Sequence, residues 1–282
     1  MSNLVIIARP ISATKPAYLV IEKGGALGNF ILERGLLVNF TLDTTTKYCT
    51  GWYDIETHQN HLCTRNATID GPYESCYACR QKTNFNPAFY NSSTISEKQA
   101  KYNEAPHTVY IAYFGNNLAK AGIMSDSRRL ERLYEQGALF YTIAAQCPHA
   151  SQAHTLEDQL IQKGLRNSVT KKQKADTFVE AIDLKEEQAK FMDILESIGL
   201  KDSEVTGLID TFFYEGYPRR PIHSVEGNSV SGKIVGVVGR YLILENNERL
   251  YGFGLNNLFG YKVTINDQVN LIERTPEQIS LF

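Results

Sequence analysis

The chain has 282 residues, 43% hydrophobic and 21% charged, with a net charge of −2 at pH 7. That length suits two or three small domains, and the composition is that of an ordinary globular protein. No apolar run reaches the ~18 residues of a membrane-spanning helix, and Met1 to Pro10 lacks both a basic start and a small-residue cleavage site, so no membrane contact and a cytoplasmic location are expected. The charge balance does not announce nucleic-acid binding, so local patches must carry that argument.

In chain order, Leu4–Ile7, Ala17–Ile21 and Leu36–Leu42 predict strands, with turns at Gly24-Gly25 and Gly35. Residues 49–90 are rich in Asn, Thr, Pro and Gly and have weak periodicity. Residues 91–106 are polar and predict a linker. Val109 to Phe114 and Ala119 to Met124 predict a hairpin about Gly115-Asn116-Asn117. Ser125 or Asp126 then caps a helix through Gln136, with Gly137 past its end. Leu139 to Ala145 predicts a third strand, and Ser151 to Lys163 a second helix stopped by Gly164. The order is β-β-α-β-α. Residues 171–199 carry helical spacing at Ala175, Phe178, Val179 and Ile182, then at Ala189, Met192, Leu195 and Ile198. A shorter helix at 203–213 follows, and Pro218 and Pro221 mark a boundary. Short strands close the chain at 233–238, 240–244, 249–253, 261–265 and 269–273, a pattern that suits a small barrel or curled sheet. The expected class is an α+β multidomain protein: a β-rich cysteine region at 1–100, an α/β module at 101–168, a helical segment at 169–222 and a small β domain at 223–282.

Of five cysteines, four fall between Cys49 and Cys79, and Cys147 stands apart. Clustered cysteines in a cytosolic chain favour metal over disulfides. Cys76-Tyr77-Ala78-Cys79 brings two thiolates onto one turn, and Cys49 and Cys63 supply two more ligands for a tetrahedral zinc ion. His58 and His61 are alternatives to Cys49 or Cys63, and a redox pair is the other reading of the CxxC. The zinc is expected to be structural. Four protein ligands leave no open position, and a segment poor in apolar residues needs metal bonds to offset its ordering entropy.

On the second helix Ala153, Leu156, Leu160 and Ile161 share one face, and Glu157 points the same way. A carboxylate there needs a cation or a strong donor. Arg132 or a divalent metal would serve, and a plain Arg–Glu pair between helices is the structural alternative.

Residues 107–167 resemble the GIY-YIG nucleases. Thr108-Val109-Tyr110 stands where Gly-Ile-Tyr would, Lys120-Ala121-Gly122 where Tyr-Ile-Gly would, with Lys also found at that tyrosine in some phage-related relatives. Arg128, Arg129 and Arg132 lie on the following helix, Glu157 on a later one, and Asn167 ten residues on. The chain is also similar to an uncharacterised prokaryotic family joining a zinc ribbon to such a module. That likeness runs through Cys49-Thr50-Gly51, Cys76 and Cys79, Gly122 through Arg132 to Gln136-Gly137-Ala138, and Gly236 to Leu242. The resemblance implies metal-dependent phosphodiester hydrolysis. Glu157 would hold Mg²⁺ or Mn²⁺, Tyr110 would help activate water, and Arg132, or Arg128, would stabilise phosphate charge, with Lys120 and Asn167 completing the set.

Lys163, Arg166, Lys171, Lys172 and Lys174 form an acid-free basic run that can grip a phosphate backbone, or can be a solvated loop. Tyr241, Tyr251, Phe253 and Phe259 are either base-stacking residues or the interior of the C-terminal strands. The expected function is an endonuclease acting on DNA or RNA. The alternative is a non-catalytic zinc protein that binds nucleic acid or another protein on the same fold. The sequence leaves the oligomeric state open.

Overall fold

The computed structural model describes residues 3–6, 18–23, 26–54, 56–57, 59–83, 95–126, 133, 136–177, 183–208, 222–225 and 227–265. In chain order the strands are β1 (Asn3–Ile6), β2 (Tyr18–Lys23), β3 (Ala26–Ile31), β4 (Leu37–Asp43), β5 (Trp52–Asp54), β6 (Gln59–His61), β7 (His107–Tyr113), β8 (Ala119–Ser125), β9 (Phe140–Cys147), β10 (Thr206–Gly207), β11 (Ile222–Ser224), β12 (Ser229–Val238), β13 (Tyr241–Asn246), β14 (Arg249–Gly254) and β15 (Lys262–Ile265). The helices are α1 (Tyr77–Thr83), α2 (Glu97–Glu104), α3 (Ala150–Gln162), α4 (Lys171–Asp176) and α5 (Leu184–Ser197). The class is α+β, and no described helix is long and apolar enough to cross a membrane.

The chain falls into two units, one of 1–84 with 222–281 and one centred on 85–214. In the first unit nine strands form one sheet in the order β11-β14-β13-β12-β4-β15-β1-β2-β3. The N-terminal and C-terminal strands, assigned to separate regions from sequence, therefore share a sheet. Val263 on β15 pairs with Leu42 on one side and Leu4 on the other. Alternation predicts that a segment is a strand but is silent on its neighbour. Leu19, Phe40, Val230, Ile234, Leu242, Leu244 and Val263 make the core of this unit. The β13–β14 hairpin turns on Asn247 and Glu248, at φ 48° and 61°, between the paired Asn246 and Arg249. Two left-handed residues match the twist of the flanking strands. Tyr251, Phe253 and Phe259 are 7%, 2% and 1% exposed, so of the two readings of these aromatics they take the interior one. Residues 269–273 lie outside the described residues.

The second unit holds a four-stranded sheet in the order β10-β9-β7-β8. All seven residues of the central strand β7 are buried. The predicted hairpin forms, with Gly115, Asn116 and Asn117 all at positive φ. Strand alternation splits the core. Val109, Ile111 and Tyr113 pack with Ala153 and Leu160 of α3 and Phe191 and Leu195 of α5. Tyr110, Ala112 and Phe114 pack on the other side with Met124, Leu133 and Ala138. Of the helix expected after Ser125, Leu133 and Gln136 are described as helical, and Gly137 follows at φ 71°.

α3 begins one residue earlier than expected, at Ala150, because the His149 ring accepts the Gln152 N–H at 3.3 Å as its N-cap. The stretch read as one helical pattern from 171 contains two described helices, α4 and α5, the second capped by Asp183, which accepts from the Lys185 and Glu186 amides. The buried face of α5 is Glu187, Phe191, Leu195 and Ile198 rather than Ala189, Met192, Leu195 and Ile198, with Met192 47% exposed. A carboxylate at the first core position hid the true stripe.

Candidate metal centre and candidate active site

The four clustered cysteines come together. Their Sγ atoms all lie within 4.8 Å of one another. Cys63 Sγ and Cys76 Sγ are 4.0 Å apart, and all the cysteines are free thiols. Zn–S bonds of about 2.3 Å in a tetrahedron put sulfurs about 3.8 Å apart. The cluster thus fits a metal ion such as zinc, and a disulfide pair does not describe it. Among the described residues it is the only set of three or more His, Cys, Asp or Glu groups that fits an ion. His61 stands outside it, paired with Trp52 across the β5–β6 hairpin and stacked on its ring at 4.2 Å. His58 lies outside the described residues.

The backbone is shaped for thiolates. Cys49 Sγ accepts the Cys76 N–H at 3.1 Å and the Gly51 N–H at 3.4 Å. Gly51 has φ 83°, and a Cβ there would sit 1.8 Å from the His61 carbonyl oxygen, so glycine is required. The Cys79 N–H, more than any other neighbour, pulls the Cys76 thiol down to about 7. Burial raises Cys49 and Cys79. A dication between them supplies the counter-charge that burial removed. Apart from the cysteines, the hydrophobic residues packed on this cluster, among those described, are Trp52, Ala67 and Ile69, too little for a core of its own. Gly51→Ala is expected to lower metal retention in a chelator-competition titration and leave the four-stranded sheet folded. Retention equal to wild type would sink the assignment of Gly51 to the metal-binding turn.

Tyr110 is 1% exposed and pairs with Gly122 across β7–β8. A Cβ on Gly122 would lie 2.5 Å from the Tyr110 ring and hydroxyl, and that hydroxyl accepts Gln136 Nε2–H at 2.8 Å. Lys120 is half-buried on β8, opposite Ala112. Glu157 is half-buried on α3, whose apolar residues pack against the Val109 side of the sheet, whereas Tyr110 packs on the other. Burial raises the Glu157 carboxyl above its usual range, against the pull of His154 and Lys120. His154 is half-buried and bonds Asp158 at 3.1 Å. Asn167 is exposed. Arg128, Arg129 and Arg132 lie outside the described residues. The described candidates are therefore distributed over two faces of the sheet, with Lys120 and Glu157 the two that act on each other electrostatically.

Two lysines of the basic run bond to backbone carbonyls, Lys163 from an exposed position and Lys174 from a half-buried one. Lys163 Nζ donates to the Ile198 carbonyl at 3.0 Å, and Lys174 Nζ donates to the Gln136 carbonyl at 2.6 Å and lies 4.4 Å above the Phe114 ring. Both lysines sit against carbonyls near helix ends, where a cation is favoured. Arg166 is exposed, its backbone paired with β8 through Ala119 and Ala121. The side chains of Lys171 and Lys172 lie outside the description.

Sequence reasoning passed over Glu187. This carboxylate is 5% exposed, and it accepts from the Tyr113 hydroxyl at 2.6 Å, the Asn116 N–H at 2.8 Å and Lys190 Nζ at 2.8 Å. It ties α5 to the β7–β8 turn. The only local signal was a glutamate at a core phase of the helix.

Fold and site together define an α+β protein with a four-cysteine cluster able to hold a metal ion such as zinc. The chain belongs to the family described as a protein of unknown function (DUF2797), which matches residues 75–263, from just before Cys76 into β15. No curated protein and no solved structure matches it.

Proposed function

We propose that this chain is a cytoplasmic nucleic-acid-binding protein in which a structural zinc ion orders a ribbon-like cysteine segment and residues 107–167 form a GIY-YIG-like module. The observation that carries this reading is the module's β-hairpin, in which the Tyr110 ring fills the space over Gly122. That tyrosine–glycine pairing, followed by β9 and the Glu157 helix, matches the element order the nuclease resemblance implies. Binding is favoured over cleavage because the Tyr110 hydroxyl is buried on Gln136 and packs on the sheet face opposite α3. A water-activating group needs access to its water.

The test is titration of labelled DNA and RNA oligonucleotides at several salt concentrations. Wild type is expected to bind at low salt. Removing charge at Arg166, Lys171 and Lys172 is expected to weaken binding and to reduce the salt slope by about one for each phosphate no longer neutralised. No binding of any oligonucleotide at low salt would transfer the proposal to a zinc-ordered protein-interaction module.

Cleavage is the second reading, and Glu157 is what favours it. A desolvated carboxylate within the field of His154 and Lys120 is the kind of group that takes a hard cation, here Mg²⁺ or Mn²⁺. The enzymatic reading replaces the binding one if wild type cleaves with either ion and Glu157→Gln lowers the rate by ~10²-fold or more. Metal-free binding must survive that substitution for the result to count as catalytic.

A further inference from the structure

We infer that the outer face of the cysteine segment is a stacking platform for unpaired nucleic-acid bases, with Tyr73 and Tyr77 as the platform and Arg80 as its cation. This rests on the nucleic-acid reading above, and it names the strand class and the surface.

Tyr77 is 70% exposed and Tyr73 51%, whereas Tyr110 and Tyr113 of the sheet are 1% and 0%. The exposure is forced by the cluster. Cys76 and Cys79 must both turn inward to reach a common ion. On α1 that leaves Tyr77 and Arg80, three positions apart, on an outward face. The Arg80 guanidinium lies over the Tyr73 ring, 4.0 Å from its centre, and Tyr77 is one helical turn from Arg80 on the same exposed side of α1. A metal-ordered segment has no need of these rings as a core, and it leaves them in water, where large aromatics mark a contact surface.

Charge selects the ligand. Residues 47–83 carry four Lys or Arg and four Asp or Glu, so the segment as a whole has no excess charge to attract the dense phosphates of a duplex. What it offers is the exposed Tyr77 ring and a Tyr73 ring with a guanidinium stacked on it. Those match bases whose own faces are free, as in single strands, loops and bulges.

The test uses the full-length, zinc-loaded chain and fluorescence anisotropy with oligothymidine, oligouridine and a blunt DNA duplex. Wild type is expected to bind the single strands more tightly than the duplex, and the two single strands decide between DNA and RNA. Tyr73→Ala with Tyr77→Ala is expected to lower single-strand affinity by at least ~10-fold. Zinc content and melting temperature should stay at wild-type values. Tyr73→Phe with Tyr77→Phe keeps the rings and should keep the affinity, which separates stacking from missing hydroxyls or a damaged fold. A doubly alanine-substituted chain that binds single strands like wild type would overturn the platform and leave nucleic-acid binding standing. A wild type that binds none of the three probes would overturn both, and the face would then belong to a protein partner.

Discussion

Freshly purified, reduced protein is expected to contain about one zinc ion per chain, and Cys76→Ser with Cys79→Ser is expected to abolish it. The effect should be large because the cluster stands in for a core. Its packing partners are the cysteines themselves with Trp52, Ala67 and Ile69. Structural zinc contributes an apparent ~10–16 kcal/mol in small zinc peptides, so losing two ligands removes more than such a segment can spare. Trp52 is the only tryptophan in the chain, and its ring packs on the cluster and stacks on His61. Its fluorescence therefore reports this segment alone. Chelation of wild type should reproduce the change seen in the double variant, and helical circular dichroism should persist. Metal-free wild type, or a variant with unchanged tryptophan emission, would remove the metal from this account.

The other large effect is expected at Glu187. Glu187→Ala leaves the Tyr113 hydroxyl and the Asn116 amide without their acceptor and takes from Lys190 one of its two carboxylates. Removing one partner from such a buried group is expected to cost about 3 kcal/mol or more, read as a lower melting temperature. Tyr113→Phe removes its bond to Glu187 and the acceptor of the Asn117 N–H, and should cost about 2 kcal/mol. The pH dependence has a definite sign. Burial by itself would raise the Glu187 carboxyl, but the bonds from Lys190, Tyr113 and Asn116 outweigh it, and the net shift is downward. A carboxyl lowered in the folded state stabilises the fold above its unfolded value of about 4.3 and loses that contribution as pH falls through the lower folded value. Acid should therefore narrow the gap in melting temperature between wild type and Glu187→Ala. A gap that stays constant from neutral pH into that acid range would mean that Glu187 does not act through its charge.

Some of this protein was legible in short stretches of chain. Gly115-Asn116-Asn117 marks a turn because few residues adopt positive φ, and all three do so. The CxxC at Cys76 and Cys79 encodes a shared ion through the geometry of one turn, and Cys49 and Cys63 complete the set. The period of α3 turned Glu157 toward its apolar side, and it is half-buried there. In each case the determining interaction spans a few residues or a fixed ligand geometry. Tertiary structure decided what depended on distant partners. β15 lies between β4 and β1 because hydrogen-bonding edges are alike in every strand and only packing chooses among them. Lys163 and Lys174, basic residues in a basic run, donate to the carbonyls of Ile198 and Gln136, 35 and 38 positions away. Glu187 reads as a surface residue until Tyr113 and Asn116, more than 70 positions earlier, are seen to need its oxygens. A buried polar group is tolerated only where its partners converge, and convergence from so far along the chain is a property of the folded molecule.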